Sequence, residues 1–232
     1  GRSAMLHDHP HNAGPLGVIG SSSANMLAEE ADVVVAVGTR LQDFTTGSWS
    51  VFGNEQMRLI AINAARYDAH KHRALSVVGD ALAGIEELGQ ALEGWKAPDP
   101  WISKSRSLYA EWNTTVEQHS GPTTDVPPSY AHVIGAVNRV CDETDLALTA
   151  AGGFPGELCK NWKTKSSGTF DCEFGFSCMG YEIAGGWGAK MADPDRDVIV
   201  FVGDGSYLMM NSDIYSSVLT GHKLIVVVCD NG

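Results

Sequence analysis

Two short stretches near the end of the chain carry the residues best suited to chemistry. Val198-Ile199-Val200-Phe201-Val202 runs into Gly203-Asp204-Gly205-Ser206, and Leu224–Cys229 runs into Asp230-Asn231. Each is an apolar run that closes on a polar tip, with 24 residues between Gly205 and Asp230. If both runs are parallel neighbours, their tips converge, and a carboxylate (Asp204) and an amide oxygen (Asn231) meet. That donor pair suits a hard cation such as Mg²⁺, which keeps few protein ligands and takes others from phosphate oxygens. Gly203 and Gly205 let the backbone come close to a ligand, and amides at the start of the following helix can hold a diphosphate. Alone, Gly-Asp-Gly is more often just a turn after a strand. The spacing to a second polar tip turns the balance toward a site at the carboxyl ends of a parallel sheet.

The elements that would position these tips read as two α/β segments. In the first, residues 1–95, a helix over Asn25–Ala31 precedes an all-apolar strand, Val33–Val37. A second strand, Arg58–Ile62, a short one at Ser76–Val78 and a helix over Ala81–Leu92 follow. Residues 96–128 form a connector holding Pro98, Pro100, Pro122, Pro127 and Pro128 around a helix at Ile102–Gln118. The segment 129–232 begins with a helix at Tyr130–Val140, then a strand at Asp145–Thr149 and a turn, Gly152-Gly153-Phe154-Pro155-Gly156. A helix dense in Gly and Ala (Glu182–Met191), the strand Val198–Val202, a helix at Ser212–Leu219 and the strand Leu224–Cys229 complete it. Unbroken apolar strands between helices predict parallel sheets covered on both faces, so the fold class is α/β, two parallel-sheet, three-layer segments. The chain opens in a loop without a first strand and stops just after a core strand, so further sequence is expected on both sides.

Composition narrows the function classes. A formal net charge of -12 repels nucleic-acid backbones and anionic membrane surfaces. The five cysteines are odd in number and make no CxxC pair, and the N-terminus has no apolar signal-like stretch. Together these predict a reduced, cytoplasmic setting without nucleic-acid or membrane partners. Apolar residues make up 44% of the chain, enough for a buried core.

The Gly-Asp-Gly stretch, its spacing and Asn231 resemble the signature of thiamine-diphosphate (ThDP) enzymes, with Asp230 where the family has a first Asn. The resemblance implies Asp204 and Asn231 as Mg²⁺ ligands, with a further backbone carbonyl two residues beyond Asn231. Phe176-Ser177-Cys178-Met179-Gly180 resembles the family's stretch before a Gly-rich helix, which implies Met179 as the bulky side chain propping ThDP in its bent form. The cofactor set it implies is Gly153, Phe154, Ser177, Met179, Gly203, Asp204, Gly205, Ser206 and Asn231. Asp8-His9-Pro10, Gly17, Gly20 and Val35-Ala36-Val37-Gly38-Thr39-Arg40 resemble the later half of the central domain of acetolactate-synthase-like members. Flavin-binding members carry an acidic pair after the next strand; here it reads Ile62-Asn63-Ala64-Ala65, so FAD is not expected and Arg40 reads as an ion-pair residue.

Three longer stretches, Ala151–Leu158, Glu173–Gly185 and Gly203–Met209, resemble the branch of the family that opens a cyclic 1,2-diketone by hydrolysis in inositol catabolism. This implies a small cyclic, polyol-derived diketone as substrate and a homodimer or homotetramer. The glutamate that activates the cofactor then belongs to an N-terminal domain outside this chain, and no turnover is expected of these 232 residues alone. Glu173, in a Gly-rich turn before the prop, is the candidate catalytic carboxylate within the chain. Rival readings are another ThDP lyase or ligase, such as acetolactate synthase, or a noncatalytic nucleotide-binding or assembly domain. The alternating His7, His9 and His11 read as a polar loop, Glu182 as a structural carboxylate offsetting a helix dipole, and Trp162 as packing.

Overall fold

The computed structural model describes residues 2–173 and 175–231. It divides into two compact units, residues 13–113 and residues 1–12 with 114–232.

The first unit holds α1 (Ser22–Glu30), β1 (Val33–Val37), α2 (Asp43–Thr46), β2 (Arg58–Asn63), α3 (Arg66–Ala69), β3 (Leu75–Val78), α4 (Ala81–Ala91) and the start of α5 (Asp99–Ser120). The strands form a parallel sheet in the order β1-β2-β3, with Val35 opposite Ile60 and Ile62 opposite Val77. Ser21 caps α1 by accepting from the Ala24 amide, and Asp80 caps α4 by accepting from Leu82 and Ala83. The expectation of a sheet covered on both faces holds only for the middle strand. Leu59, Ala61 and Ile62 are buried, whereas Val33, Val35, Leu75, Val77 and Val78 are exposed. The physical reason is position: β1 and β3 are both edges of a three-stranded sheet, and α4 buries none of its side chains.

The second unit holds α6 (Tyr130–Val140), β4 (Leu146–Thr149), α7 (Phe154–Asn161), β5 (Phe170–Cys172), α8 (Tyr181–Ala192), β6 (Val198–Gly203), α9 (Asp204–Met210), α10 (Ser212–Leu219) and β7 (Ile225–Cys229). Its four strands are parallel in the order β5-β4-β6-β7. Side chains alternate across β6, as a strand requires. Ile199 and Phe201 join Ile134, Ala147, Phe154, Leu158 and Trp162 on one face. Val198, Val200 and Val202 join Leu146 and Ile183 on the other. Every residue of β6 from Val198 to Val202 is buried, so this sheet is the covered, three-layer kind. Gly186 in α8 allows the helix to lie on β6, because a Cβ there would run into the Val200 side chain.

Two details differ from the sequence reading. Phe154-Pro155-Gly156 is not part of a turn but the first turn of α7, where Pro155 sits at a position that needs no amide donor. The short edge strand β5 and the helix α7 were not foreseen; β5 has only three residues, too few to show a period.

Candidate functional site

The order β5-β4-β6-β7 contains a reversal. From β4 the chain moves to β5 on one side, while from β6 it moves to β7 on the other. Connections diverging from neighbouring strands leave a crevice at their carboxyl ends, and ligands of α/β folds bind in such crevices. Three segments meet there: the loop Ala150–Gly153 after β4, the loop Gly175–Gly180 before α8, and the junction of β6 with α9 at Gly203–Ser206.

Beside it, β6 and β7 pair with Gly203 opposite Cys229. Asp204 is therefore one residue past the end of one strand, and Asn231 two past the end of its neighbour, with about 4.8 Å between strand axes. Asp204 is half-buried in the first turn of α9, and Asn231 is exposed. The amide nitrogen of Asn231 donates to the Tyr130 hydroxyl at 3.1 Å. Among the described residues no group of three or more His, Cys, Asp or Glu side chains could hold a metal ion. The donor set here is instead one carboxylate and one amide oxygen, which fits a cation that completes its shell with phosphate and water.

The space around the glycines fits a ligand backbone. A Cβ at Gly203 would meet nothing within 4 Å, and one at Gly205 would meet only the methyl of Met179, at 3.4 Å. Met179, the proposed prop, is 45% exposed and so stands beside the Gly-Asp-Gly turn with an open side. On the other wall, Gly153 lies under Tyr130: a Cβ there would sit 2.8 Å from the ring. Phe154 is buried, its ring 4.7 Å from Tyr130 and 5.5 Å from Phe201. Tyr130 thus touches two parts of the candidate site, a role the sequence did not disclose because it lies 101 residues from Asn231.

Glu173 and the loop it opens are organised by backbone amides. One carboxylate oxygen accepts from the Phe176 amide (2.8 Å), the other from Cys178 (2.9 Å). These bonds hold its pKa below the ordinary glutamate value, so near neutrality it is an anion bracing the turn that presents Ser177 and Met179. Ser177 has φ of 53°, in the left-handed region, and is exposed. Phe174 lies outside the described residues. The Tyr181 hydroxyl donates to Asp171 at 2.9 Å, and burial together with that carboxylate pushes its pKa up to about 12.

Glu182 is the largest addition to the sequence reading. It is fully buried, and among the described residues it has no ion-pair partner. One oxygen accepts from the Ala151 amide at 2.9 Å; the other accepts from the Gly180 amide at 2.9 Å and the Ser206 hydroxyl at 2.7 Å. The Ser206 hydroxyl also accepts from the Gly180 amide at 2.7 Å. The side chain of Ser206 is therefore turned into the protein, leaving its backbone as the part that can face a ligand. Spacing could place Glu182 at a helix start but not show three distant loops converging on it.

The remaining candidates fall in other surroundings. Arg40 is exposed and forms no ion pair among the described residues; its carbonyl accepts from Lys71 at 3.2 Å. The ion-pair reading of Arg40 is thus corrected: at the tip of β1 it projects into solvent. Asn63 is buried, donates to the Thr39 carbonyl and accepts from the Ala65 amide. His7 bonds the Thr164 carbonyl and His9 accepts from the His11 amide. Trp162 is 2% exposed and packs edge-on against Phe201.

Residues 1–88 match the family model of the thiamine pyrophosphate enzyme central domain, and residues 150–232 that of the C-terminal thiamine-pyrophosphate-binding domain. The chain belongs to the thiamine pyrophosphate enzymes, and the crevice at the end of β4 and β6 lies in its cofactor-binding domain. Among known proteins it is similar to 3D-(3,5/4)-trihydroxycyclohexane-1,2-dione hydrolases of Bacillus cereus (strain AH820), Bacillus anthracis (strain CDC 684 / NRRL 3495) and Bacillus thuringiensis (strain Al Hakam). Each is 36% identical over 255 aligned positions that take in all of this chain and 40% of the relative. The chain thus spans 40% of the length of the curated relatives it matches. Among the described residues no helix is long and apolar enough to cross a membrane.

Proposed function

We propose that this chain supplies the magnesium- and diphosphate-holding part of a ThDP enzyme that cleaves a ring carbon–carbon bond of a cyclic 1,2-diketone with water. The substrate of this reading is trihydroxycyclohexane-1,2-dione and the product 5-deoxy-glucuronic acid, a step of inositol catabolism carried out in the cytoplasm by a homodimer or homotetramer. The observation that carries it is the placement of Asp204 and Asn231 at the tips of paired strands β6 and β7, beside open glycines. The shared identity with the dione hydrolases along the whole chain supports the substrate class.

In this reading Asp204 and the Asn231 oxygen hold Mg²⁺, and Gly203, Gly205 and the backbone of Ser206 make room for the diphosphate. Met179 props the thiazolium side, while Ser177, Gly153 and Phe154 line the walls. ThDP, when bound, supplies a carbon nucleophile and an electron sink for breaking a bond next to a carbonyl. Glu173 fixes the Ser177–Met179 turn and is the first carboxylate of this chain to test for contact with substrate. The domain limits that go with this reading are 1–95, 96–128 and 129–232. Asn63, which ties Thr39 to Ala65, stands where flavin-binding members have an acidic side chain, and this supports an enzyme without FAD.

Calorimetry on the full-length protein tests the cofactor assignment. ThDP should bind only with Mg²⁺ present, and Asp204→Ala should weaken it by about a hundredfold, the upper range for loss of a metal-site group. Undiminished affinity in that variant would remove the assignment. Release of the open-chain acid from the cyclic dione by the full-length enzyme tests the substrate; acetolactate formation from pyruvate instead would favour the synthase branch.

A further inference from the structure

Resting on the ThDP reading, we infer that Glu182 is a positioning residue: its buried carboxylate clasps together the three loops that hold the cofactor. Its two oxygens reach three segments of the chain. Ala151 belongs to the loop after β4, Gly180 to the turn before α8, and Ser206 to α9 after β6. These segments carry every proposed cofactor residue except Phe154, the first residue of α7, and Asn231. No other side chain among the described residues is bonded to all three.

The bonding pattern asks for acceptor oxygens at this position. Two backbone N–H groups and a hydroxyl can all be accepted by a carboxylate, which is acceptor-only when ionised. A glutamine of the same shape would turn an NH₂ toward one of these donors and leave a buried amide unpaired, which is the costly case. Among the described residues Glu182 has no ion-pair partner; its carboxyl group, in the first turn of α8, is met instead by three donors.

The clasp fixes one distance that matters. Gly180 is the residue after Met179, and Ser206 the residue after Gly205. Through Glu182 and the direct bond from the Gly180 amide to the Ser206 hydroxyl, the prop is held against the diphosphate turn, with the Met179 methyl 3.4 Å from where a Cβ of Gly205 would be. Gly180 has φ of 93° and lies against Met210, so the turn is seated on α9 with no room for a side chain. Loosening the clasp separates the two halves of the cofactor site while leaving each half's own ligands in place.

The experiment uses the full-length protein with Glu182→Gln, Ser206→Ala and the double variant. Affinities for Mg²⁺–ThDP and for Mg²⁺–pyrophosphate, which occupies only the diphosphate part, are measured side by side, with Asp204→Ala as control. For Glu182→Gln the expected result is a loss of at least tenfold for ThDP and of less than about threefold for pyrophosphate, as for an outer-shell group. Ser206→Ala should lose less, and the double variant no more than Glu182→Gln, because both act through one network. Wild-type ThDP affinity in Glu182→Gln would overturn the inference, and so would equal losses for both ligands, the mark of a general loss of structure. If Glu182→Gln does not fold, Ser206→Ala carries the test. It must show the same ThDP-selective loss together with faster amide exchange at Gly180, and failing that the inference is wrong. A wild type that binds no ThDP, or an Asp204→Ala variant that binds it normally, would instead strike the cofactor reading, and the inference would fall with it.

Discussion

The side-chain amide of Asn231 donates a hydrogen bond to the hydroxyl of Tyr130, the first residue of a helix 101 positions earlier in the chain. The bond ties the Asn231 side chain to the start of α6 and so restricts its orientation. Groups that orient a metal ligand in this way contribute to affinity without touching the metal. Tyr130→Phe keeps the ring packed on Phe154 and deletes only the hydroxyl. The Mg²⁺ concentration needed for half-maximal ThDP binding should rise about tenfold, the lower end for such groups. An unchanged Mg²⁺ requirement would show that Asn231 is oriented by other means.

The covered sheet behind the site gives a stability prediction. Phe201 is fully buried between Phe154 and Trp162, at centroid distances of 5.5 Å and 5.7 Å. Phe201→Ala removes a whole ring from a packed core, at an expected cost of about 3–5 kcal/mol. Urea unfolding followed by tryptophan emission reads this directly, since Trp162 lines the same cluster. A change under about 1 kcal/mol would mean the cluster relaxes around the cavity.

Glu173 gives a pH prediction with a definite sign. Its folded pKa is depressed by the amides of Cys178 and Phe176, so its bracing is fully present above the ordinary glutamate pKa and is lost as pH falls through the folded value. Amide exchange at Phe176 and Cys178, corrected for its intrinsic pH dependence, should therefore show steady protection near neutrality and lose it in acid below the ordinary glutamate range. In Glu173→Gln the protection should be low at every pH. Protection that survives in that variant would assign the order of the turn to other contacts.

Cys178 is the one exposed cysteine and lies between Ser177 and Met179. Burial raises the pKa of Cys141 and Cys229, and the hydrogen bond that Cys172 donates to Cys159, together with burial, raises that of Cys172; the same bond lowers that of Cys159, which is buried out of reach. Thiolate character and access together govern alkylation, so Cys178 should react first with iodoacetamide. Saturating Mg²⁺–ThDP should slow that reaction by about tenfold, because the cofactor would lie over the turn. Labelling that is insensitive to the cofactor would place the turn away from the bound molecule.

Much of the second unit was legible from local pattern alone. The run Val198–Val202 could only be a strand buried on both faces, and Gly203-Asp204-Gly205 at its end could only be a tight exit from a sheet. That the two apolar runs are parallel neighbours was legible too; their register, with Gly203 opposite Cys229, came from the structure. Local pattern failed where elements are short or incomplete. The three residues of β5 hold no period, and the exposed faces of β1 and β3 could not be foreseen from strands as apolar as those of the core.

The sequence by itself determined the strands, the glycine tips, the carboxylate and amide suited to a cation, and the resemblance to ThDP enzymes, because these depend on residue type and spacing within a few turns of chain. Only the tertiary structure decided which side chains serve those tips. Glu182 looked like one more acidic residue at a helix start, yet it gathers donors from residues 31 positions before it and 24 after. Tyr130 looked like a helix-opening aromatic, yet it meets Asn231 across the width of the unit. Hydrogen bonds act over about 3 Å, and the chain separations they bridge are closed by burying the faces of a sheet, which no local pattern records.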